Sequence, residues 1–142
     1  MMIVAKTVAQ IRASRWKNPK LSWGIIPTMG ALHDGHISLV HKAKAQNDRV
    51  AVSIFVNPKQ FNNPTDLKKY PRTIKRDLQL LEDAGVDLVW IPKVHDIYPS
   101  TFQTYINVEE VTKPLEGAKR PGHFRGMATV VNKLLNVLQP HR

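Results

Sequence analysis

One stretch, residues 24–40, joins an apolar segment to an amphipathic one through a turn rich in glycine and histidine. Ile25 and Ile26 predict the end of a short buried strand. Pro27 is expected to end the hydrogen-bonded ladder, because proline has no N–H to donate. A helix is expected to begin near Gly35, since apolar residues then recur at helical spacing. The stretch therefore predicts a buried strand that turns directly into a helix.

The turn between this strand and this helix collects polar side chains, and it predicts an anion site. The N-terminus of a helix offers unpaired backbone N–H groups and the positive end of the helix dipole, and both favour phosphate. His33 and His36 are close enough in sequence to reach one bound group, where an imidazole can donate a hydrogen bond or a proton near neutral pH. Two imidazoles beside bound phosphates predict phosphoryl or nucleotidyl transfer.

Two other interpretations of the histidine pair remain open. The rings can cap the helix or lie in solvent, as single histidines near helix starts often do. They can also chelate zinc as a His-x-x-His pair, but the sequence has no cysteine, no His-Glu-x-x-His pattern and no evident third ligand, so we expect no metal held by the protein. The common glycine-rich phosphate loops are missing as well, so a nucleotide must bind by another route.

Composition bounds the class of protein. The chain has 142 residues, 42% of them hydrophobic, which is enough for one domain with its own core. The lack of cysteine excludes a disulfide framework, and the N-terminal apolar run is too short for a signal peptide. No apolar stretch has the length of a membrane span. We therefore expect a cytoplasmic protein with no membrane contact.

The net charge of +10 is the one unusual bulk property, and the excess is at the two ends of the sequence: +6 over residues 1–50, −1 over 51–112 and +5 over 113–142. A basic face can hold nucleic acid, but the sequence has no basic stripe interleaved with aromatic residues and no recognition helix. Cations that attract small anionic substrates or only solubilise the surface explain the charge better. No nucleic-acid partner is expected.

The remaining periodicity predicts alternating helices and strands. Helices are expected over 7–17, from Gly35 to about 46, over 73–84 and over 127–138, with strands near Gly24, over 50–56 and over 87–91. Residues 62–71 are expected to form a loop, residues 93–104 a loop or a short turn, and residues 105–108 a small outlying strand. This alternation predicts right-handed βαβ units and hence a Rossmann-like α/β fold, a parallel sheet with flanking helices.

Polar residues follow the second predicted strand and precede the last predicted helix. Asn57 and Gln60 come directly after the 50–56 strand, at the carboxyl edge where open α/β sheets bind ligands, although turn chemistry alone can explain them. Arg120, His123 and Arg125 flank a Pro-Gly pair before the helix, which again sets cations at a helix start.

Four segments together resemble the pantothenate synthetase (pantoate–β-alanine ligase) family, a branch of the His-x-Gly-His nucleotidyltransferases. The motif alone would indicate only that superfamily, and the other three segments make the resemblance specific over nearly the whole chain. In order, the segments are Pro27-Thr28-Met29-Gly30-Ala31-Leu32-His33-Asp34-Gly35-His36, Ser53-Ile54-Phe55-Val56-Asn57-Pro58-Lys59-Gln60-Phe61, Tyr70-Pro71-Arg72-Thr73 and Leu115-Glu116-Gly117-Ala118-Lys119-Arg120-Pro121-Gly122-His123-Phe124-Arg125-Gly126.

The resemblance implies ATP-dependent condensation of pantoate with β-alanine through a pantoyl-adenylate, with Mg²⁺ accompanying the ATP and a homodimeric assembly. It implies His36 and His33 as the catalytic residues, His36 as hydrogen-bond or proton donor to the leaving pyrophosphate and His33 in support. It assigns the ATP phosphates to Met29, Gly30, Ala31, Leu32, His33, Asp34, Gly35 and His36. It assigns pantoate and β-alanine to Gln60, Asn57, Thr28, Tyr70, Arg120 and His123.

The sequence also departs from the family, whose chains continue through a Gly-x-Lys-Asp-x-Gln-Gln segment, a Met-Ser-Ser-Arg segment and a smaller C-terminal domain. We therefore expect residues 1–142 to be an incomplete N-terminal nucleotide-binding domain that is inactive alone. The Ile25 strand is expected to be left as a sheet edge and the last helix to be partly uncovered, which predicts self-association or marginal stability. A different His-x-Gly-His nucleotidyltransferase and a non-enzymatic nucleic-acid-binding domain remain the alternatives.

Overall fold

The computed structural model describes residues 1–142 and has a four-stranded sheet in which every pairing is parallel. The strands are β1 (Ile3–Ala5), β2 (Trp23–Thr28), β3 (Arg49–Ile54) and β4 (Leu88–Trp90), in the spatial order β1-β4-β3-β2. The helices are α1 (Val8–Trp16), α2 (Asp34–Gln46), α3 (Pro64–Lys69), α4 (Ile74–Asp83), α5 (Val94–Ile97), α6 (Glu116–Lys119) and α7 (His123–Leu138), with a 3₁₀ helix at Pro58–Gln60. The predicted α/β class with a parallel sheet is confirmed.

The sheet is buried on both faces because alternate side chains of its strands enter two separate cores. Ala51 and Trp90 pack with residues of α1 and α7 in the first core. Val52 and Val89, one position away in each strand, pack with α2 and α4 in the second. This burial on both faces explains why the sequence of β3 is an almost unbroken run of apolar residues.

Strand β1 was not predicted from the sequence. It has three residues, of which Ile3 and Val4 are exposed, so it shows neither a long apolar run nor alternation. Its position at the sheet edge beside β4 supplies the partner that fixes it.

Pro27 does not end the β2 ladder, which corrects the prediction. Pro27 lies opposite Ser53 within the parallel β2–β3 pair. Two residues earlier, the N–H of Ile25 points away from β3 and donates to the carbonyl of Arg142 at 2.9 Å. The nitrogen of Pro27 faces that same outer edge, so the proline removes no hydrogen bond between the strands.

Three other boundaries differ from the predictions. Residues 64–69 are helical rather than loop, because Asn63 caps the segment and Pro64 suits a first helical position. Residues 105–108 form no strand, because no neighbouring strand is available and the N–H of Ile106 donates to Thr129 Oγ1 instead. Helix α7 begins at His123, four residues before the apolar stripe that predicted it.

Strand β2 is an edge strand, as predicted, but the end of the chain runs beside it. The N–H of His141 donates to the carbonyl of Trp23 at 2.7 Å, next to the Ile25–Arg142 bond. The stripe on α7 is also mostly covered: Val130, Leu134 and Leu138 are buried, and the uncovered members are Met127 and Leu135, each 39% exposed. The expected loss of cover is therefore smaller than the sequence indicates.

No helix in the structure combines the length and the apolar composition needed to span a bilayer.

Candidate active site

The loop after β2 is held in place by one buried carboxylate on α4. Asp77, which is fully buried, accepts hydrogen bonds from the N–H groups of Ala31 at 3.0 Å and Leu32 at 2.9 Å. The hydroxyl of Thr73 also donates to Asp77 at 3.1 Å, and Arg76 donates to the carbonyl of Leu32. Ala31 has φ of 52°, an unusual value for a residue with a side chain. These contacts fix a conformation that the loop alone would not favour.

His33 and His36 stand together at the start of α2, with ring centroids 4.2 Å apart. The Nδ1 atom of His33 accepts the N–H of Gly35 at 3.1 Å, and the Nδ1 atom of His36 accepts the N–H of His33 at 3.3 Å. A side chain at position 35 would collide with the His33 ring, since a Cβ there would lie 2.9 Å from Cε1. The glycine in the motif therefore lets the first ring fold back over the helix start.

These contacts decide which nitrogen of each ring can meet a ligand. A backbone N–H can only donate, so Nδ1 of both rings is an acceptor and the proton of each neutral ring is on Nε2. Burial lowers the pKa of His36, the neighbouring His33 lowers it further, and Asp77 partly opposes both effects. His36 is thus a neutral imidazole near pH 7 that presents an N–H donor.

The anion site differs in one respect from the prediction of free backbone N–H groups. The backbone N–H groups of Ala31 and Leu32 donate to Asp77. The N–H of Gly30 donates to Thr28 Oγ1, and the N–H of Gly35 donates to His33 Nδ1. An anion at this turn would therefore meet imidazole N–H groups and the helix dipole more than free backbone donors. The capping interpretation of the histidines is correct for their Nδ1 atoms, and it leaves Nε2 available for a ligand.

A second group of polar residues forms around Asn57, directly after β3. Asn57 is 1% exposed, and its Nδ2 donates to Gln60 Oε1 at 3.0 Å and to the carbonyl of Gly126 at 3.1 Å. Its Oδ1 accepts from the hydroxyl of Tyr98 at 2.6 Å and from the N–H of Lys59 at 3.2 Å. The side chain thus joins the 3₁₀ helix to α7.

Arg120, at the end of α6, and His123, at the start of α7, both contact the same 3₁₀ helix. The carbonyl of Gln60 lies 2.8 Å from Nδ1 of His123 and 3.5 Å from Nη2 of Arg120. The close approach needs Gly126, where a Cβ would lie 2.2 Å from the carbonyl oxygen of Lys59. Because a carbonyl oxygen only accepts, Nδ1 of His123 carries a proton and Nε2 of the neutral ring is an acceptor.

The other two predicted acyl-site residues are placed differently. Thr28 is buried at the end of β2, and its hydroxyl donates to the carbonyl of Ser53 at 2.8 Å. Tyr70 follows α3 and packs edge-on against Phe61, with ring centroids 5.8 Å apart, next to the 3₁₀ helix. Thr28 is therefore engaged internally, and Tyr70 lies on the Gln60 side of the site.

A cleft of 390 Å³ opens at the carboxyl ends of β2, β3 and β4. Residues from the loop after β2, the end of β3, the start of α4 and the turn after β4 line it, among them Met29, Phe55, Thr73 and Lys93. Its position is where parallel α/β sheets bind their ligands. The two histidines follow β2 and the Asn57 group follows β3, so neighbouring strands deliver the two groups to one edge.

Comparison with known proteins assigns this architecture. The family model for pantoate-beta-alanine ligase matches residues 3–142. The chain belongs to the pantoate–β-alanine ligase family. It is 56% identical over 139 residues to the pantothenate synthetase of Herpetosiphon aurantiacus, covering 98% of this chain and 50% of that protein. It is 54% identical over 141 residues to that of Cereibacter sphaeroides, again covering 98% and 50%.

Solved structures of the family agree in fold. The pantothenate synthetase of Thermus thermophilus is 47% identical, with a TM-score of 0.93 over 99% of this chain and 50% of that one. The pantoate-beta-alanine ligase of Francisella tularensis, complexed with beta-gamma ATP and beta-alanine, is 48% identical, with a TM-score of 0.95 over 99% of this chain and 54% of that one. The chain thus spans about half the length of the family members it matches.

Sequence reasoning missed the residues that support the site. Asp77 and Tyr98 each fix a predicted site residue through buried hydrogen bonds, and neither was singled out. For Asp77 a signal was present: it shares a helix face with Ile74 and Leu81, so an acidic residue interrupts an apolar stripe. A buried carboxylate needs partners, and the loop N–H groups are those partners.

Proposed function

We propose that residues 1–142 supply the nucleotide- and acyl-binding half of an enzyme that condenses pantoate with β-alanine, using ATP. The observation that carries the proposal is the arrangement of His33 and His36. Both imidazoles are held by their Nδ1 atoms and offer Nε2 donors at a helix N-terminus. Membership of the ligase family and the Francisella tularensis complex with beta-gamma ATP and beta-alanine support the choice of substrates.

The proposed reaction has two steps. A carboxylate oxygen of pantoate attacks the α-phosphorus of ATP, the bond to the bridging oxygen breaks, and pyrophosphate leaves with its electron pair. The amine of β-alanine then attacks the acyl carbon of the pantoyl-adenylate, AMP leaves, and the amine loses a proton as the amide forms. The first step is needed because a carboxylate is a poor electrophile.

In the first step the residues after β2 contact the ATP phosphates. His36 donates its Nε2–H to the leaving pyrophosphate and His33 does so beside it, which lowers the energy of the charge that develops there. A neutral donor suits this role over the pH range in which ATP is fully ionised. The segment 29–36 forms the wall of the phosphate site.

Pantoate and β-alanine bind beside Gln60, which follows β3 at the same edge of the sheet as the cleft but does not line it. Arg120 supplies positive charge for carboxylates, His123 offers its Nε2 as an acceptor for a polar contact, and Tyr70 closes the outer side. Asn57 and Thr28 have their polar atoms engaged within the protein, so we assign them to shaping the pocket and keep direct substrate contact for Gln60.

Magnesium is part of the proposal as the counter-ion of ATP. No group of three or more histidine, aspartate or glutamate side chains lies together in this domain to hold a metal. Phosphate oxygens are strong magnesium ligands, so the nucleotide itself would carry the ion into the site. We assign no catalytic step to it. We propose a cytoplasmic location, where ATP is available to the proposed reaction.

We also propose a homodimer whose contact includes the segment between α5 and α6. Ile106 and Val108 are 36% and 43% exposed, and Val111 is 79% exposed. The 105–108 stretch has no strand beside it within the chain, and a second copy can supply one. Sedimentation velocity tests this: Val108→Glu should shift the protein to monomer, and an unchanged sedimentation coefficient would oppose the assignment.

The proposed reaction is tested in a protein of full family length that contains residues 1–142. Pyrophosphate release should require pantoate, and His36→Ala should slow pantoyl-adenylate formation by about a hundredfold or more, the usual range for a positioned acid or donor. His41→Ala, an exposed histidine on the same helix, is the matched control. Near-normal adenylate formation by His36→Ala, or equal turnover with an alcohol phosphate in place of pantoate, would refute the assignment.

A further inference from the structure

The orientation of the Gln60 side-chain amide is set by its hydrogen bond to the buried Asn57. In an isolated glutamine the amide oxygen and nitrogen can exchange places by a half turn, so the residue can present either a donor or an acceptor. In this chain the amide contacts Asn57, and the contacts of Asn57 decide which end of Gln60 faces outward.

Two backbone groups fix Asn57. The N–H of Lys59 lies 3.2 Å from Oδ1, and the carbonyl of Gly126 lies 3.1 Å from Nδ2. A backbone N–H can meet only an acceptor and a carbonyl oxygen only a donor, so the Asn57 amide cannot be turned over without losing both bonds. The second N–H of Nδ2 then points to Gln60 at 3.0 Å, which requires the oxygen of Gln60 at that position.

The hydroxyl of Tyr98 locks this arrangement from the opposite side. It lies 2.6 Å from Asn57 Oδ1, and since Oδ1 is an acceptor, the hydroxyl must be the donor. Burial raises the pKa of Tyr98 to about 12, so the phenol keeps its proton at any working pH. The ring is fixed by Phe55 at 6.2 Å and Phe102 at 4.9 Å between centroids.

We propose that Tyr98 is a positioning residue that acts through Asn57 to hold the Gln60 amide with its oxygen inward and its two N–H bonds free for a substrate carboxylate. No atom of the chain accepts a hydrogen bond from the Gln60 nitrogen. The Gln60 side chain therefore presents its NH₂ group, a hydrogen-bond donor, to a ligand. A donor at this position favours a carboxylate and disfavours an ammonium group. This role rests on the proposed function for its substrate, but the orientation itself does not.

The orientation is tested without substrate by NMR on the 142-residue chain. Hydrogen exchange of the Asn57 side-chain amide protons should become about three- to tenfold faster in Tyr98→Phe, the factor expected for losing one ordinary hydrogen bond. Tyr105→Phe is the matched control, because its ring packs edge-on against Phe102 and its hydroxyl makes no hydrogen bond in the chain. Unchanged exchange in Tyr98→Phe would overturn the inference whatever the enzyme's substrate.

The role in binding is tested by kinetics in a protein of full family length. Tyr98→Phe should raise the KM for pantoate about three- to tenfold and leave the KM for ATP unchanged. In a Gln60→Ala background the same substitution should have no further effect, because Tyr98 acts through Gln60. If Tyr98→Phe raised the KM for pantoate by the same factor in the Gln60→Ala background, its role would be merely structural and the proposal would be overturned.

A further variant tests the donor assignment. Gln60→Glu keeps an oxygen for Asn57 but has no N–H, so it should weaken pantoate at least as much as Gln60→Ala. Pantoate affinity close to that of the unmodified protein would overturn the assignment. If the unmodified protein forms no pantoyl-adenylate, the proposed function fails together with the carboxylate part of this inference, while the NMR measurement still decides the orientation.

Discussion

Replacing Asp77 by asparagine removes one charge and keeps the shape of the side chain, so it isolates what the carboxylate does. Both oxygens accept backbone N–H groups from the loop after β2, at 3.0 and 2.9 Å. An asparagine can accept only one of the two, and its NH₂ group then faces the other N–H. The substitution therefore breaks one bond and sets two donors against each other.

The magnitude follows from these contacts. A hydrogen bond to a charged group contributes about 1.5 to 3 kcal/mol, and a buried donor left without an acceptor costs about 1 to 3 kcal/mol. Asp77→Asn should therefore lower the free energy of unfolding by roughly 3 to 5 kcal/mol, a large part of the about 5 to 15 kcal/mol typical of a domain. At a urea m value of about 2 kcal/mol/M, the midpoint should fall by roughly 1.5 to 2.5 M.

The assay is urea unfolding of the 142-residue chain followed by circular dichroism. Asp83→Asn is the matched control: Asp83 is exposed on the same helix, and its carboxylate accepts one bond, from Gln79. That control should change the stability by less than about 0.5 kcal/mol. An Asp77→Asn variant as stable as the Asp83→Asn control would refute the argument that the carboxylate holds the loop.

Two further predictions concern stability and ionisation. Burial and the neighbouring His33 lower the pKa of His36 from its ordinary 6.5, so the unfolded chain binds this proton more tightly than the folded chain does. The free energy of unfolding should therefore be unaffected by this group above pH 6.5 and should decrease as the pH falls from 6.5 toward the lower pKa of the folded state. NMR titration of the ring measures that pKa, and a value at or above 6.5 would contradict the geometry. Gly126→Ala should destabilise the chain by about 1 to 3 kcal/mol in thermal or urea unfolding, because the new Cβ would lie 2.2 Å from the Lys59 carbonyl oxygen. Ordinary helix propensity predicts the opposite sign, a gain of about 1 kcal/mol, and that gain would refute the close packing.

The sequence predicted those parts of the fold in which one local signal dominates. The apolar run of β3 and the periodic stripes of α4 and α7 each have a clear local pattern, and each was placed within a few residues. Strand β1 was missed because its three residues gain their stability from β4, far along the chain. The 105–108 stretch was predicted as a small outlying strand, but a strand needs a neighbour, which the chain does not supply.

In the candidate site, too, local sequence patterns predicted the positions of residues but not their long-range contacts. The motif placed His33 and His36 at a helix start, but it did not reveal that both Nδ1 atoms would be used for capping. Likewise Gln60 was singled out, whereas its orientation depends on a tyrosine 38 positions later in the sequence. Long-range hydrogen bonds decide which atom of a side chain meets the ligand, and a single sequence carries little information about them.

Arg15 offers a test of how the outer edge of the sheet is held. Its Nε and Nη2 both donate to the carbonyl of Gln139 at 3.2 Å, where φ of 51° turns the chain out of α7. The next residues then run beside β2, and the Ile25 N–H donates to the carbonyl of Arg142.

Replacing Arg15 by methionine should increase local opening at the β2 edge of the sheet, with little change in the free energy of unfolding. Arg15 is 3% exposed, its pKa is lowered by burial, and its Nη1 has no partner. Removing the charge therefore relieves a desolvation cost that offsets the lost bonds. Gln139 is exposed, so its carbonyl can accept a hydrogen bond from water instead. We therefore expect Arg15→Met to change the free energy of unfolding by less than about 1 kcal/mol. The Ile25 amide should nevertheless exchange with solvent at least about tenfold faster, because the turn that presents Arg142 is no longer fixed. Arg12→Met, an exposed arginine on the same helix, should alter neither quantity. Equal exchange at Ile25 in both variants would show that the edge holds the chain end without Arg15.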